Sequence, residues 1–122
     1  MHEYAIAEAV IGVAVDNAGD RRVAAVDLRV GHLRQVVPSA LHFAFELASQ
    51  DTPAEGAELR VTSVTPVVLC QACDEQTTTD ELPLACGGCG RFDVAVLAGE
   101  ELQVDSIEVL NDTAPRVEQE VV

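Results

Sequence analysis

Cys70-Gln71-Ala72-Cys73-Asp74 and Cys86-Gly87-Gly88-Cys89-Gly90 repeat one pattern, two cysteines separated by two residues, and between them hold all four cysteines of the 122-residue chain. A two-residue spacer lets both thiolates of a tight turn face one ion, and two such knuckles complete a tetrahedral set. Twelve residues, Asp74 to Ala85, lie between the pairs. The residue after the second ligand commonly takes a left-handed backbone, which Gly90 adopts freely and Asp74 tolerates better than most. The pattern predicts a structural Zn(II) held by Cys70, Cys73, Cys86 and Cys89. With every position filled by thiolate, no open place remains for catalysis.

Other readings of the cysteines explain less. Disulfides are unusual where thiols are kept reduced. A thioredoxin-like motif would use one pair only. An iron–sulfur cluster, the main competitor, needs no paired knuckles. A structural zinc site contributes on the order of 10–16 kcal/mol of apparent binding free energy, enough to fold a module too small to bury its own core. Residues 67–101 are therefore read as a zinc-ribbon subdomain.

Zinc ribbons often bind nucleic acid, but here Asp74, Glu75, Asp80, Glu81, Asp93, Glu100 and Glu101 stand against a lone Arg91. The whole chain carries 21 acidic and 7 basic residues, a formal net charge of −14. Such a surface repels phosphate backbones and anionic lipid. Neither nucleic acid nor a membrane is an expected partner. No run approaches the ~18 apolar residues of a spanning helix. The apolar stretch Ala5 to Val15 is broken by Glu8 and has no basic leader, unlike a signal peptide. A cytoplasmic location is the expectation.

Outward from the cysteines, Val67-Val68-Leu69 leads into the first pair. Phe92 to Leu97 reads as a short strand after the second, Gly99-Glu100-Glu101 as a turn, and Leu102 to Leu110 as a further strand. In that last strand Leu102 and Val104 share one parity while Ile107 and Val109 share the other, so a bulge near Asp105-Ser106 is expected. From Asn111 the composition turns polar, and residues 113–122 read as a flexible tail.

Toward the N-terminus, Leu59 and Val61 alternate with charged and polar residues as a strand, and so do Val26, Leu28 and Val30, ended by Gly31. Pro38 suits the first turn of a helix that carries Leu41, Ala44, Phe45 and Ala48 on one face. Ile6, Ala9, Val10 and Val13 mark an earlier helix, running after the opening triplet to about Asp16. Residues 1–66 with 102–112 are thus one domain and 67–101 an insertion. The fold class is α/β (α+β), two helices packed on a small mixed sheet with an inserted four-cysteine zinc-ribbon subdomain. Only 3% of residues are aromatic and none is Trp, so the core must be built from Val, Leu, Ile and Ala.

Met1-His2-Glu3 places a free α-amine, a backbone amide and an imidazole within two residues. These three nitrogens can close fused chelate rings, and a planar nitrogen-rich set suits Cu(II) or Ni(II) better than Zn(II), with Glu3 adding an oxygen. Chain starts are also commonly frayed, and Met-His arises by chance. His32 and His42 read as surface or packing histidines, Glu8 and Glu46 as solvated helix positions. No Ser/His/Asp or Cys/His arrangement exists without the zinc ligands, and no phosphate-binding glycine loop is present. An enzyme is the least favoured class.

Taken together, Met1-His2-Glu3, the Phe43-Ala44-Phe45-Glu46 helix, the Ala54-Glu55-Gly56-Ala57 turn and the two cysteine pairs resemble the HypA/HybF family of hydrogenase maturation nickel chaperones, over roughly residues 1 to 110. The resemblance implies an α/β nickel-binding domain with an inserted zinc ribbon. It assigns Ni(II), as transient cargo, to Met1, His2 and Glu3, and Zn(II) to Cys70, Cys73, Cys86 and Cys89. It further implies delivery, with a nickel-insertion GTPase of the HypB type, to the large subunit of [NiFe] hydrogenase, some members serving urease as well. This chain departs from the family pattern in two places. A Pro frequent in the second knuckle is replaced by Gly87 or Gly88, and Val37 stands where some members offer a further acidic ligand. The alternative reading is a zinc-ribbon protein-interaction module with no nickel role.

Overall fold

A computed structural model describes residues 2–110 and 112–121. The elements are α1 (His2–Ala18), β1 (Val23–Gly31), a 3-10 turn (His32–Arg34), α2 (Pro38–Ala48), β2 (Glu58–Val64), β3 (Val67–Cys70), β4 (Gln76–Thr78), β5 (Val94–Ala98), β6 (Leu102–Val109) and β7 (Asp112–Glu120). Two helices and two sheets make the mixed α/β architecture that the sequence predicts. The chain divides into two compact units. One comprises Met1–Arg29, Val36–Thr62 and Leu102–Val122, the other Val30–Gln35 and Ser63–Glu101.

In the first unit the strand order is β2-β1-β6-β7. The chain passes from β1 to β2 through α2, the helical crossover that parallel neighbours require. β1 and β6 run oppositely: Gly31 N–H donates to Glu101 O at one end, 2.6 Å, and Leu110 N–H to Arg22 O at the other, 3.0 Å. α1 buries Ala7, Val10, Ile11, Val13, Ala14 and Ala18, one broad face at helical spacing. α2 buries Leu41, Ala44 and Phe45. With Val26 and Leu28 of β1 and Val104, Ile107 and Val109 of β6 these form an aliphatic core containing one phenylalanine. Each full side-chain burial is worth about 1.5–3 kcal/mol.

The frame shift in β6 is present. Val104 and Ile107 are both buried, Asp105 and Ser106 are half-exposed, and the register with β7 shifts on either side of Ser106. The sheet's polar side carries a charge network centred on Arg60. Its Nε and Nη2 donate to the two carboxylate oxygens of Asp27, at 2.8 and 3.0 Å. Glu108 and Glu58 lie 3.2 and 3.4 Å from the same guanidinium, and Ser106 Oγ donates to Asp27 Oδ2 at 2.8 Å.

One expectation is corrected. The segment read as a loose tail from residue 113 is β7, paired antiparallel to β6 from Gln103–Glu120 to Val109–Asp112. Pairing supplies partners to the main-chain groups of β6 on the side away from β1, which outweighs the polar composition. As an edge strand, β7 also tolerates Pro115.

The second unit is a three-stranded sheet, order β4-β3-β5, with both neighbours antiparallel to β3. Its first segment is not contiguous with the rest. Leu33 N–H donates to Gly99 O at 2.9 Å and Arg34 Nε to Glu100 O at 2.8 Å. Gly31 sits so close to Gly99 that a Cβ there would overlap its carbonyl. Among the described residues, no helix is long and apolar enough to cross a membrane.

Candidate metal centres

β3 ends at Cys70, and two tight turns of the same design carry the four thiols. In the first, Asp74 N–H donates to Cys70 O and Cys70 N–H to Glu75 O, at 3.0 and 2.9 Å. In the second, Gly90 N–H donates to Cys86 O and Cys86 N–H to Arg91 O, at 2.9 and 2.8 Å. Asp74 and Gly90 both have left-handed backbones, φ 63° and 76°. Asp tolerates that region better than most side chains and Gly enters it without cost.

The ligand atoms of Cys70, Cys73, Cys86 and Cys89 all lie within 4.8 Å of one another. Cys70 Sγ is 3.7 Å from Cys89 Sγ, and Cys73 Sγ 3.6 Å from Cys86 Sγ. A tetrahedron with metal–sulfur bonds of ~2.3 Å has edges of about 3.8 Å, close to these two separations. The amides of Gly88 and Cys89 point at Cys86 Sγ, 3.3 and 3.4 Å away. Those of Cys89 and then Gly88 lower the Cys86 thiol to about 6. At Cys73 the Glu75 amide acts in the same sense, but the Cys70 and Cys86 thiols outweigh it and push the group up to about 12. Four sulfurs this close cannot all ionise without a cation among them. The arrangement is a four-cysteine metal-binding site.

Two supports of this cage were not legible in the sequence. Thr77 Oγ1 accepts the Gly87 N–H at 2.9 Å. The Glu75 carboxylate fills the space a Cβ on Gly88 would need, with an oxygen 4.0 Å from Cys86 Sγ. The glycines of the second knuckle thus make room for neighbours on and beside β4.

Of the N-terminal triplet, Met1 lies outside the described residues. α1 begins at His2, earlier than the apolar periodicity indicates, so His2 and Glu3 occupy its first turn. Amides of a first turn have no acceptor within the helix. His2 is exposed, and its Nε2 lies 3.5 Å from Glu3 Oε2. That same oxygen accepts the Val37 N–H at 3.3 Å. The Val37 amide is the main reason the Glu3 carboxyl is held below the usual glutamate range, followed by its own amide and, more weakly, by His2. Val37 is the N-cap of α2, with Pro38 behind it. The group that meets Glu3 is therefore a backbone donor, and only the fold reveals it.

The remaining histidines are not gathered into these sites. His32 is exposed in the Val30–Gln35 segment of the second unit, and His42 is exposed on α2. Among the described residues, the cysteine cage is the one cluster of three or more metal-ligating groups.

A family model described as "Hydrogenase/urease nickel incorporation, metallochaperone" matches residues 1–109. A hydrogenase maturation factor HypA from Geotalea uraniireducens is 41% identical over 109 residues, covering 89% of this chain and 99% of that protein. One from a Geobacter species, strain M21, is 39% identical over the same share of each. Among solved structures, the Ni metallochaperone HypA from Helicobacter pylori superposes with a TM-score of 0.65 at 19% identity, over 88% of this chain and 97% of that one. Another HypA solution structure does so at 0.68 and 21%, over 92% and 98%. These structural likenesses support the fold, and the family match and the curated relatives decide the lineage: the chain belongs to the HypA family of nickel-incorporation metallochaperones.

Proposed function

We propose that this chain carries Ni(II) on Met1, His2 and Glu3 and surrenders it, together with a HypB-type GTPase, to the large subunit of [NiFe] hydrogenase, while Zn(II) in the cysteine cage holds the ribbon. The observation that carries this reading is the ionised Glu3 carboxylate, held by the Val37 amide at an exposed helix start beside the His2 imidazole. The α-amine, the His2 amide and the imidazole supply nitrogen, Glu3 supplies oxygen, and such a set selects Ni(II) or Cu(II) over Zn(II).

The site's accessibility suits delivery. His2 is exposed and Glu3 partly so, which lets a partner reach the ion. The cage instead surrounds its ion with four thiolates, two of them on the buried Cys70 and Cys86, which separates a resident ion from exchangeable cargo. The chain supplies ligands and positioning, with no reaction step of its own.

Titration of Ni(II) into the chain, into the chain extended by one N-terminal residue, and into His2→Ala tests the proposal. Tight binding should vanish in both variants while zinc content and folding persist. Unchanged affinity would leave the protein a zinc-ribbon interaction module.

A further inference from the structure

β2 is an outer strand of its sheet, bonded to β1 on one side, and among the described residues no strand lies along the other. An open edge of this kind is a template for a further strand. β2 reads Glu58-Leu59-Arg60-Val61-Thr62-Ser63-Val64, with no proline to block pairing. Beside its start, against α2, lies a cavity of about 460 Å³. Its buried lining includes Phe45 and Leu59 and its exposed lining includes Glu46 and Glu55. Glu55 is fixed in place, since one of its oxygens accepts the Asp51 N–H at 2.9 Å.

We propose that this edge is a docking groove for an extended segment of a partner protein. The segment adds a strand to β2, sets an apolar side chain against Phe45 and Leu59, and places a lysine or arginine opposite Glu46 and Glu55. Main-chain pairing gives such a site its affinity, and side-chain pockets at every second residue its specificity. The basic requirement follows from charge, because the groove lining is acidic and the chain carries −14 overall. The same charge disfavours a second copy of this chain as occupant, for that would bring Glu46, Glu55 and Glu58 of both copies together. The segment therefore comes from another protein.

The test is NMR titration of the full zinc-loaded chain with the peptide acetyl-Thr-Val-Thr-Arg-Thr-Val-amide, whose Val and Arg side chains share one face of a strand. Saturable shifts confined to residues 42–50 and 55–62 are expected. N-methylation of alternate peptide amides should weaken binding about tenfold, through lost main-chain hydrogen bonds. Glu46→Lys, at an exposed helix position, should weaken it to a similar extent and leave the remaining spectrum unchanged. Equal binding of the N-methylated peptide overturns the proposal, as does a lack of saturable binding up to about 5 mM. So do shifts spread over the acidic surface that disappear at about 0.5 M salt. Concentration-dependent shifts at β2 without peptide would assign the edge to self-association instead.

Discussion

The Glu3 carboxylate accepts the backbone N–H of Val37 at 3.3 Å, across a sequence separation of 34 residues. A side chain in the first turn of α1 is thereby oriented by the N-cap of α2. Val37 has φ −80°, a value proline can adopt, and its carbonyl still accepts the Leu41 N–H at 2.9 Å. Val37→Pro therefore removes the donor to Glu3 and keeps the acceptor for Leu41. The Glu3 carboxyl should move back up toward the ordinary glutamate range, which carbon-detected NMR titration reads directly. Nickel affinity should fall by on the order of 10- to 100-fold, the effect of losing a group that orients a ligand. Circular dichroism should report unchanged helix content.

That relationship also marks where the sequence stops being legible. The cysteine pairs announced their chemistry because their spacing constrains a turn, and the parity change between Leu102/Val104 and Ile107/Val109 announced a bulge because burial demands one. A backbone donor leaves no such trace: every non-proline residue carries an N–H, and only the fold selects Val37. Strand β4 was missed for a related reason. Gln76-Thr77-Thr78 is short and polar, and it is a strand because β3 pairs with it. β7 was read as a tail on composition, although main-chain pairing does not depend on composition. At His2 and Glu3 the helix starts without an apolar stripe, since its first turn is exposed.

Asp27 and Arg60 give a pH-dependent prediction. The Arg60 hydrogen bonds, then that of Ser106, hold the Asp27 carboxyl below its ordinary value. A carboxyl depressed in the folded state contributes stability that is full above the unfolded value of about 3.9 and is lost as pH falls through the lower folded value. The pair is partly exposed, so its worth is about 1 kcal/mol or less. Asp27→Asn should lower the thermal midpoint at pH 7, and the gap to the parent should close as both are acidified below about pH 4. Calorimetry across pH checks this; a gap that stays constant would show that the charge is not what matters.

Removing the metal should act on one unit. A strong chelator is expected to strip one zinc per chain, measured by mass spectrometry. The amide signals of Ser63–Glu101 should then collapse, because the ribbon relies on a contribution on the order of 10–16 kcal/mol from the ion. Signals from Val10, Leu28, Leu41 and Ile107 should persist, for those residues are buried in a core of their own. Cys73→Ser should reproduce the loss without chelator.

Gly31→Ala should be more damaging than its chemistry implies. The added methyl would overlap the Gly99 carbonyl, a backbone atom that cannot swing aside. A cost of about 3 kcal/mol is expected, in the upper range for point substitutions. Denaturant unfolding measures it.

The ribbon unit includes Val30–Gln35 as well as Ser63–Glu101, fastened by Gly31, Leu33 and Arg34 to the stretch from Gly99 to Glu101. It is therefore no cassette. Excising 63–101 for transplantation into another scaffold would leave behind a strap encoded about thirty residues upstream, so a working graft must import that strap or invent a substitute. Any lineage that lengthens or trims the turn after β1 edits the metal module too, though no cysteine has been touched.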